Sequence, residues 1–216
     1  VFSSTGRGPI SIVVDPIASR LVKAGITPNQ VTVTGTAIAV AAAVVLIPTG
    51  HVVAAAILMG IFAAFDLLDG TMARMRGGGT AYGATLDASC DRIADGALFG
   101  AIVWWMVYTY QPPRATIVAA LVVLVSSQVI SYVKARGEAG GLTMGGGLIE
   151  RAERLVLGLV GIGLTGLGVP YAIDVAIWVL ALGSIFTIYQ RFGQAANSPG
   201  AMRPIAAPKG AKEYRA

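Results

Sequence analysis

Charge is scarce in this chain. Of its 216 residues only 12% are charged, against roughly 25% in an ordinary soluble domain. Cysteine and histidine are almost missing, with Cys90 and His51 the sole examples. A lone cysteine closes no internal disulfide, and without a Cys/His cluster no zinc site is expected. The opening stretch VFSSTGRGPISIVVDP has no apolar core of roughly 7–15 residues ahead of a small-residue cleavage site, so no signal peptide is expected. Nor does any period of roughly 20–50 residues repeat. Together these absences exclude a disulfide scaffold, a secreted protein, a disordered chain and a solenoid.

The missing charge leaves long blocks. Residues 24–65, 96–113, 115–133, 155–173 and 175–190 contain no Asp, Glu, Lys or Arg. About 20 apolar residues cross a bilayer core, and the first block is long enough to cross twice. The turn signal Pro48-Thr49-Gly50-His51 divides it. The expected fold is all-α: a polytopic membrane protein with six transmembrane helices near 28–47, 52–76, 82–110, 115–136, 150–169 and 171–192. With these spans, fifteen basic residues fall on one side and only Arg114 on the other. That asymmetry places both termini in the cytosol of a multi-pass plasma-membrane protein. It also accounts for the net charge of +5, so no nucleic-acid partner is called for.

Three segments are expected. Residues 1–27 carry a cytosolic juxtamembrane amphipathic helix, with Asp15-Pro16 as its start, Gly25 as its stop, and Ile17 and Leu21 on the lipid face. Residues 28–194 form the six-helix domain, and the Pro/Gly/Ala-rich residues 195–216 a flexible tail. Trp104, Trp105, Tyr108 and Tyr110 would form an aromatic belt at the outer end of the third span. The glycines of GLVGIGLTGLG follow no strand, so they read as close helix packing and not as a nucleotide fingerprint.

Chemistry concentrates in DLLDGTMARMRGGGTAYGATLDASCDRIADG, residues 66–96. Asp66 and Asp69 share one face of the second span, and Gly70 and Ala73 continue it almost without side chains. Gly83, Asp87 and Asp91, four apart, share one face of the third span. Gly77-Gly78-Gly79 turns the chain between the two helices. About 21 Å of helix rise from Val52 puts Asp66 just inside one leaflet of a core about 30 Å thick. Four converging carboxylates would repel one another, and bound divalent cations relieve that. Oxygen-only ligands suit Mg²⁺ or Mn²⁺, and two such ions clamp a transferring phosphoryl group. Gly70 and Ala73 leave room for a ligand beside them, and Arg74 can fork onto a diphosphate. Salt bridging to Arg74, Arg76 and Arg92 would explain one or two of these acids, not four on matched faces. Asp95, one turn beyond Asp91, reads as a supporting partner or a pair with Arg92.

The skeleton D-x2-D-G-x2-A-R-x8-G-x3-D-x3-D, eight fixed residues over 26 positions, resembles the signature of the CDP-alcohol phosphatidyltransferases. GGGTAYGATLDASCDRIADG, SQVISYVKARGEA and GGGLIERAERL resemble the actinobacterial phosphatidylinositol phosphate synthases in particular, and the resemblance runs from about Pro28 to Arg191. It implies that Asp66, Asp69 and Asp87 hold the metals, while Asp91 binds the second metal and accepts the proton. It implies contacts to CDP-diacylglycerol from Gly70, Arg74 and Thr80, with Ala73 and Gly83 on the same faces, and from Asn29, Gln30, Val31 and Thr32. A homodimer is implied as well. Thr27-Pro28 reads as cap plus first helical residue, and a helix N-terminus offers N–H groups to phosphate.

A second basic set lies on the cytosolic side: Lys134, Arg151, Arg154 and Arg191, with Arg136 at its margin. Basic residues opening a helix, as Arg151 and Arg154 do, work against its dipole; against positive-inside decoration or pairing with Glu138, Glu150 and Glu153, the set of four reads as a phosphate pocket for the acceptor. The resemblance makes that acceptor inositol 1-phosphate. The expected products are phosphatidylinositol phosphate and CMP, with two Mg²⁺ ions as cofactor. Glycerol 3-phosphate, and so a phosphatidylglycerophosphate synthase, is the alternative that charge alone leaves open. A divalent-cation transporter is the alternative of another class, although its site would be expected near the midplane.

Overall fold

The computed structural model describes residues 7–204, apart from the side chains of residues 7–13 and 64–66. The described residues form seven α-helices and one π-helical turn, in order α1 (Arg7–Lys23), α2 (Pro28–Leu46), α3 (Val52–Met75), α4 (Ala81–Trp105), the π turn (Met106–Tyr110), α5 (Arg114–Ala139), α6 (Arg151–Gly166) and α7 (Ala172–Asn197). No strand occurs among the described residues. Among the described residues five stretches are long and apolar enough to cross a membrane: α2, α3, α4 with its π turn, α5 and α7. The 16 residues of α6 rise about 24 Å.

Local chemistry sets the boundaries. Thr27 caps α2 in a reciprocal box with Gln30, and Pro28 follows as the first helical residue. The hinge between α3 and α4 needs glycine, because Gly77 and Gly78 take φ of +90° and +128°. Thr80 then caps α4 by accepting the Gly83 N–H at 3.0 Å.

The helices pack in neighbouring pairs: α2 on α3 and α4, α5 on α4 and α7, and α6 against α3 and α7. The core is apolar, centred on Leu98, Phe99, Ile102, Val123, Ile162 and Ile177. The glycines of α6 do work as packing residues. A side chain at Gly161 would press into Ala176 and Ile173, and one at Gly163 into Ala56. Exposed Ile57, Ile61, Val125, Leu182 and Phe186 give the bundle an apolar exterior, as helices facing lipid require.

Three expectations change. The first helix does not start at Asp15: it begins at Arg7 and runs through Pro16. Proline there forfeits one intrahelical bond. Apolar packing of Val14, Ala18, Leu21 and Val22 on Leu68 and Met72 of α3 offsets that loss. Leu21 thus packs inward, while Ile17 is exposed. The aromatic belt divides. Trp104 and Tyr108 are exposed, but Trp105 is buried and stacks on Tyr110 at 4.8 Å. The π turn brings Tyr110 inward, where its hydroxyl donates to Asp174 at 2.5 Å. The tail is held at its start, with Ser198 Oγ accepting the Thr143 N–H at 2.7 Å; residues 205–216 lie outside the described residues.

Candidate active site

Up-and-down topology gathers the starts of α2, α4 and α6 and the ends of α3, α5 and α7 at one end of the bundle. Two cavities there hold most of the expected site residues.

The first, about 430 Å³, lies between α2, α3 and α4. Asp69, Gly70 and Ala73 line it from α3, Gly83 and Asp87 from α4, Asn29 and Thr32 from α2, and Thr80 from the cap of α4. Thr32 Oγ donates to Asp69 Oδ2 at 2.5 Å, fixing one carboxylate across the α2–α3 interface. A side chain at Gly83 would stand 3.2 Å from both Asn29 Oδ1 and Thr80 Oγ1, so glycine is what lets these walls approach. At Gly70 the nearest atom would be Arg74 Nη1 at 3.6 Å. Packing therefore does not demand that glycine, and the space it leaves belongs to the cavity. Arg74 lies beside Gly70 and donates to Thr71 Oγ1 at 2.8 Å, without itself lining the cavity.

Gln30 and Val31 are not brought to this cavity. The Gln30 side chain accepts the Thr27 N–H at 2.8 Å, the Gln30 backbone N–H donates to Thr27 Oγ1 at 3.3 Å, and Val31 packs against the Leu68–Met72 cluster. The first turn of α2 thus spends these N–H groups on its own cap. In their place the structure adds Arg76, which lines the cavity and donates to the Ile26 carbonyl at 3.0 Å.

Asp66 lies on α3 one turn before Asp69, and its side chain falls outside the described residues. Among the described residues no group of three Asp, Glu, His or Cys side chains is close enough to hold an ion. Asp69 and Asp87 nonetheless face one cavity from adjacent helices. An all-oxygen donor pair of that kind fits a hard divalent cation.

The second cavity, about 870 Å³, lies between α4, α5, α6 and α7 and shares Ala84 with the first. Asp91 lines it, one turn along α4 from Asp87, together with Lys134, Arg151, Arg154 and Arg191. The expected acceptor set therefore converges; Arg136 lines a different hollow with Arg203. Arg151 Nη2 sits 2.9 Å from Asp91 Oδ1. Arg154, 1% exposed, is 3.2 Å from Asp95 Oδ2. Arg191, also buried, donates to Glu150 at 2.8 Å and to the Gly145 carbonyl.

The loop entering α6 is held in place by α7 and its cap, Ser198. Thr187, Gln190, Gln194 and Ser198 accept N–H groups of Ile149, Leu148, Gly145 and Thr143 at 2.7–3.1 Å. A side chain at Gly147 would collide with Thr187, which explains a glycine just ahead of the arginines.

Residues 25–189 match the family model described as CDP-alcohol phosphatidyltransferase. The chain belongs to that family. Among similar members is the phosphatidylinositol phosphate synthase of Corynebacterium glutamicum, 61% identical over 96% of this chain and 94% of its own length. That of Mycobacteroides abscessus is 51% identical over 91% and 89%. The crystal structure of the Mycobacterium tuberculosis phosphatidylinositol phosphate synthase with CDP-DAG bound aligns with a TM-score of 0.86 at 46% identity, covering 90% of this chain and 99% of that one. The same enzyme in complex with manganese and citrate gives 0.85 at 47%, covering 88% and 92%.

Three residues outside the expected set also line the second cavity: Gln128, Ser131 and Arg92, the last expected only as a salt-bridge partner. Arg92 donates to Ser131 Oγ, and Gln128 Nε2 to the Arg92 carbonyl at 3.3 Å. The available signal was Ser127-Gln128 followed by Ser131, a polar face in an otherwise apolar helix.

Proposed function

We propose that the chain is a phosphatidylinositol phosphate synthase, transferring the phosphatidyl group of CDP-diacylglycerol to inositol 1-phosphate with release of CMP. The observation that carries this reading is the pair of neighbouring cavities that meet at Ala84 and follow one another along α4. Asp87 faces the small, glycine-floored cavity and Asp91 the larger basic one. A nucleotide donor and a phosphorylated acceptor can thus approach the same turn from two directions.

In this reading the CDP headgroup occupies the first cavity over Gly70, Ala73 and Gly83, between Asn29 and Thr80, with Arg74 and Arg76 beside its phosphates. Gln30, Val31 and Thr32 contribute the helix turn that holds this wall. Asp66, Asp69, Asp87 and Asp91 hold two Mg²⁺ or Mn²⁺ ions, which when bound supply charge neutralisation at the diphosphate. Lys134, Arg151, Arg154 and Arg191 bind the acceptor phosphate and bring its hydroxyl to Asp91. The Asp91 carboxylate takes the hydroxyl proton as the new oxygen–phosphorus bond forms at the phosphate bearing diacylglycerol. The bond from that phosphorus to CMP breaks.

α6 counts as a sixth span in this reading, since a helix of about 24 Å needs only modest bilayer thinning to cross. The positive-inside asymmetry puts the termini and both cavities on the cytosolic side of the plasma membrane, with α1 at its surface. The enzyme core spans residues 28–194 between the N-terminal segment and the tail, and the working form is a homodimer.

CMP release by the purified protein with CDP-diacylglycerol and Mg²⁺, compared across inositol 1-phosphate, free inositol and glycerol 3-phosphate, tests the reading. Release with inositol 1-phosphate alone is expected. Release only with glycerol 3-phosphate would overturn the acceptor and leave the donor site standing.

A further inference from the structure

The basic cavity is organised by a residue outside the eight-residue signature. Asp95 lies one turn beyond Asp91 on α4, and its side chain is only 3% exposed. Three guanidinium groups converge on it: Arg154 Nη2 at 3.2 Å, Arg92 Nη2 at 3.4 Å and Arg151 Nε at 3.5 Å. They come from both sides of the cavity, Arg92 from α4 itself and Arg151 and Arg154 from the first turn of α6. All three line the cavity, and Asp95 does not.

Burying an arginine is costly unless its charge is compensated. Arg154 is 1% exposed, and Asp95 is its ion-pair partner among the described residues. Only Nη2 is used in that pair; Nε and Nη1 are buried with no hydrogen-bond partner among the described residues. Buried donors left in that state mark a place where an acceptor is missing. One carboxylate thus neutralises the buried end of the cluster and leaves the remaining donors for a ligand in the cavity.

We propose that Asp95 is a positioning residue for the acceptor's phosphate: it fixes Arg154, Arg151 and Arg92 as a preformed phosphate-binding set and touches neither substrate itself. This rests on the acceptor reading of the second cavity. Without Asp95 the three guanidinium groups repel one another, and Arg154 must turn toward water or toward Asp91. The acceptor's phosphate then meets a disordered set of donors, whereas the CDP-diacylglycerol cavity, on the other side of Ala84, keeps its walls.

The test compares the full-length protein with Asp95→Asn, an isosteric change that removes the charge. The KM for inositol 1-phosphate should rise about tenfold or more, with the KM for CDP-diacylglycerol held within about twofold, a split that general destabilisation does not produce. Inorganic phosphate serves as a second probe that does not depend on the acceptor's identity. It should raise the melting temperature of the parent protein and inhibit competitively with the acceptor, and both effects should weaken about tenfold in Asp95→Asn. An acceptor KM unchanged within about twofold, or both KM values rising in parallel, overturns the proposal. If Asp95→Asn does not fold, Asp95→Glu decides: it keeps the charge but pushes the carboxylate about 1.5 Å outward. It should raise only the acceptor KM, and two unchanged KM values overturn the proposal. A parent protein that is stabilised by phosphate yet inert with inositol 1-phosphate would refute the acceptor reading and leave the role of Asp95 to be judged by the phosphate probe.

Discussion

Thr32→Val removes one contact that holds Asp69. The hydroxyl of Thr32 stands 2.5 Å from Asp69 Oδ2 and 3.1 Å from the Pro28 carbonyl. It has one proton, which goes to the nearer and charged acceptor. Both residues are largely buried, at 9% and 8% exposure, so little water reaches the bond. A hydrogen bond to a charged group contributes about 1.5–3 kcal/mol, and valine keeps the shape while removing the donor. A carboxylate freed from its orienting partner holds a metal less well, by about 10–100-fold in comparable sites. The lower part of that range matches about 1.4 kcal/mol, a factor of ten, and leaves the rest of the bond energy to appear as lost stability. Mg²⁺ titration of CMP release should therefore show half-saturation shifted up about tenfold, with kcat at saturating Mg²⁺ within about threefold of the parent. An unchanged Mg²⁺ half-saturation would mean that the hydroxyl donates to the Pro28 carbonyl and that Thr32 serves only the start of α2.

Three further outcomes are expected. Asp91→Asn should lower kcat by about 10²–10⁴-fold, the usual contribution of a general base, while CDP-diacylglycerol still binds in a ligand-induced thermal shift; a near-parental rate would remove Asp91 from that role. Gly83→Ala should force Asn29 and Thr80 apart, because its Cβ would meet both at 3.2 Å. The KM for CDP-diacylglycerol should rise by up to about tenfold with the acceptor KM unchanged, a split read directly from initial rates. Stripping divalent cations with EDTA should stop CMP release, and Mg²⁺ or Mn²⁺, but not excess K⁺, should restore it.

Much of this site is legible in the residue order because helical period carries it. Asp66, Asp69, Gly70 and Ala73 on one helix, and Gly83, Asp87 and Asp91 on the next, fall on matched faces by spacing alone. A glycine hinge between them leaves an antiparallel pair as the natural arrangement. The apolar spans were visible for a similar reason: charge in a bilayer is so unfavourable that its absence over a long block is a strong signal.

Contacts between helices far apart in sequence follow no such period. Spacing puts Lys134, Arg151, Arg154 and Arg191 on three helices at one end, but it does not say that Arg154 is buried on Asp95 or that Arg191 reaches back to Gly145 and Glu150. It could not separate Trp105 and Tyr110, which stack inside the bundle, from Trp104 and Tyr108, which face out, because a π turn shifts the register over those few residues. Nor could it foresee that α1 runs through Pro16, since the energy that permits this comes from Leu68 and Met72 of α3. Residue order thus specifies which chemistry each helix carries and on which face. The division into a glycine-floored cavity and a basic cavity, side by side along α4, arises only when α5, α6 and α7 pack against it, because burial and pairing depend on which side chains meet across the bundle.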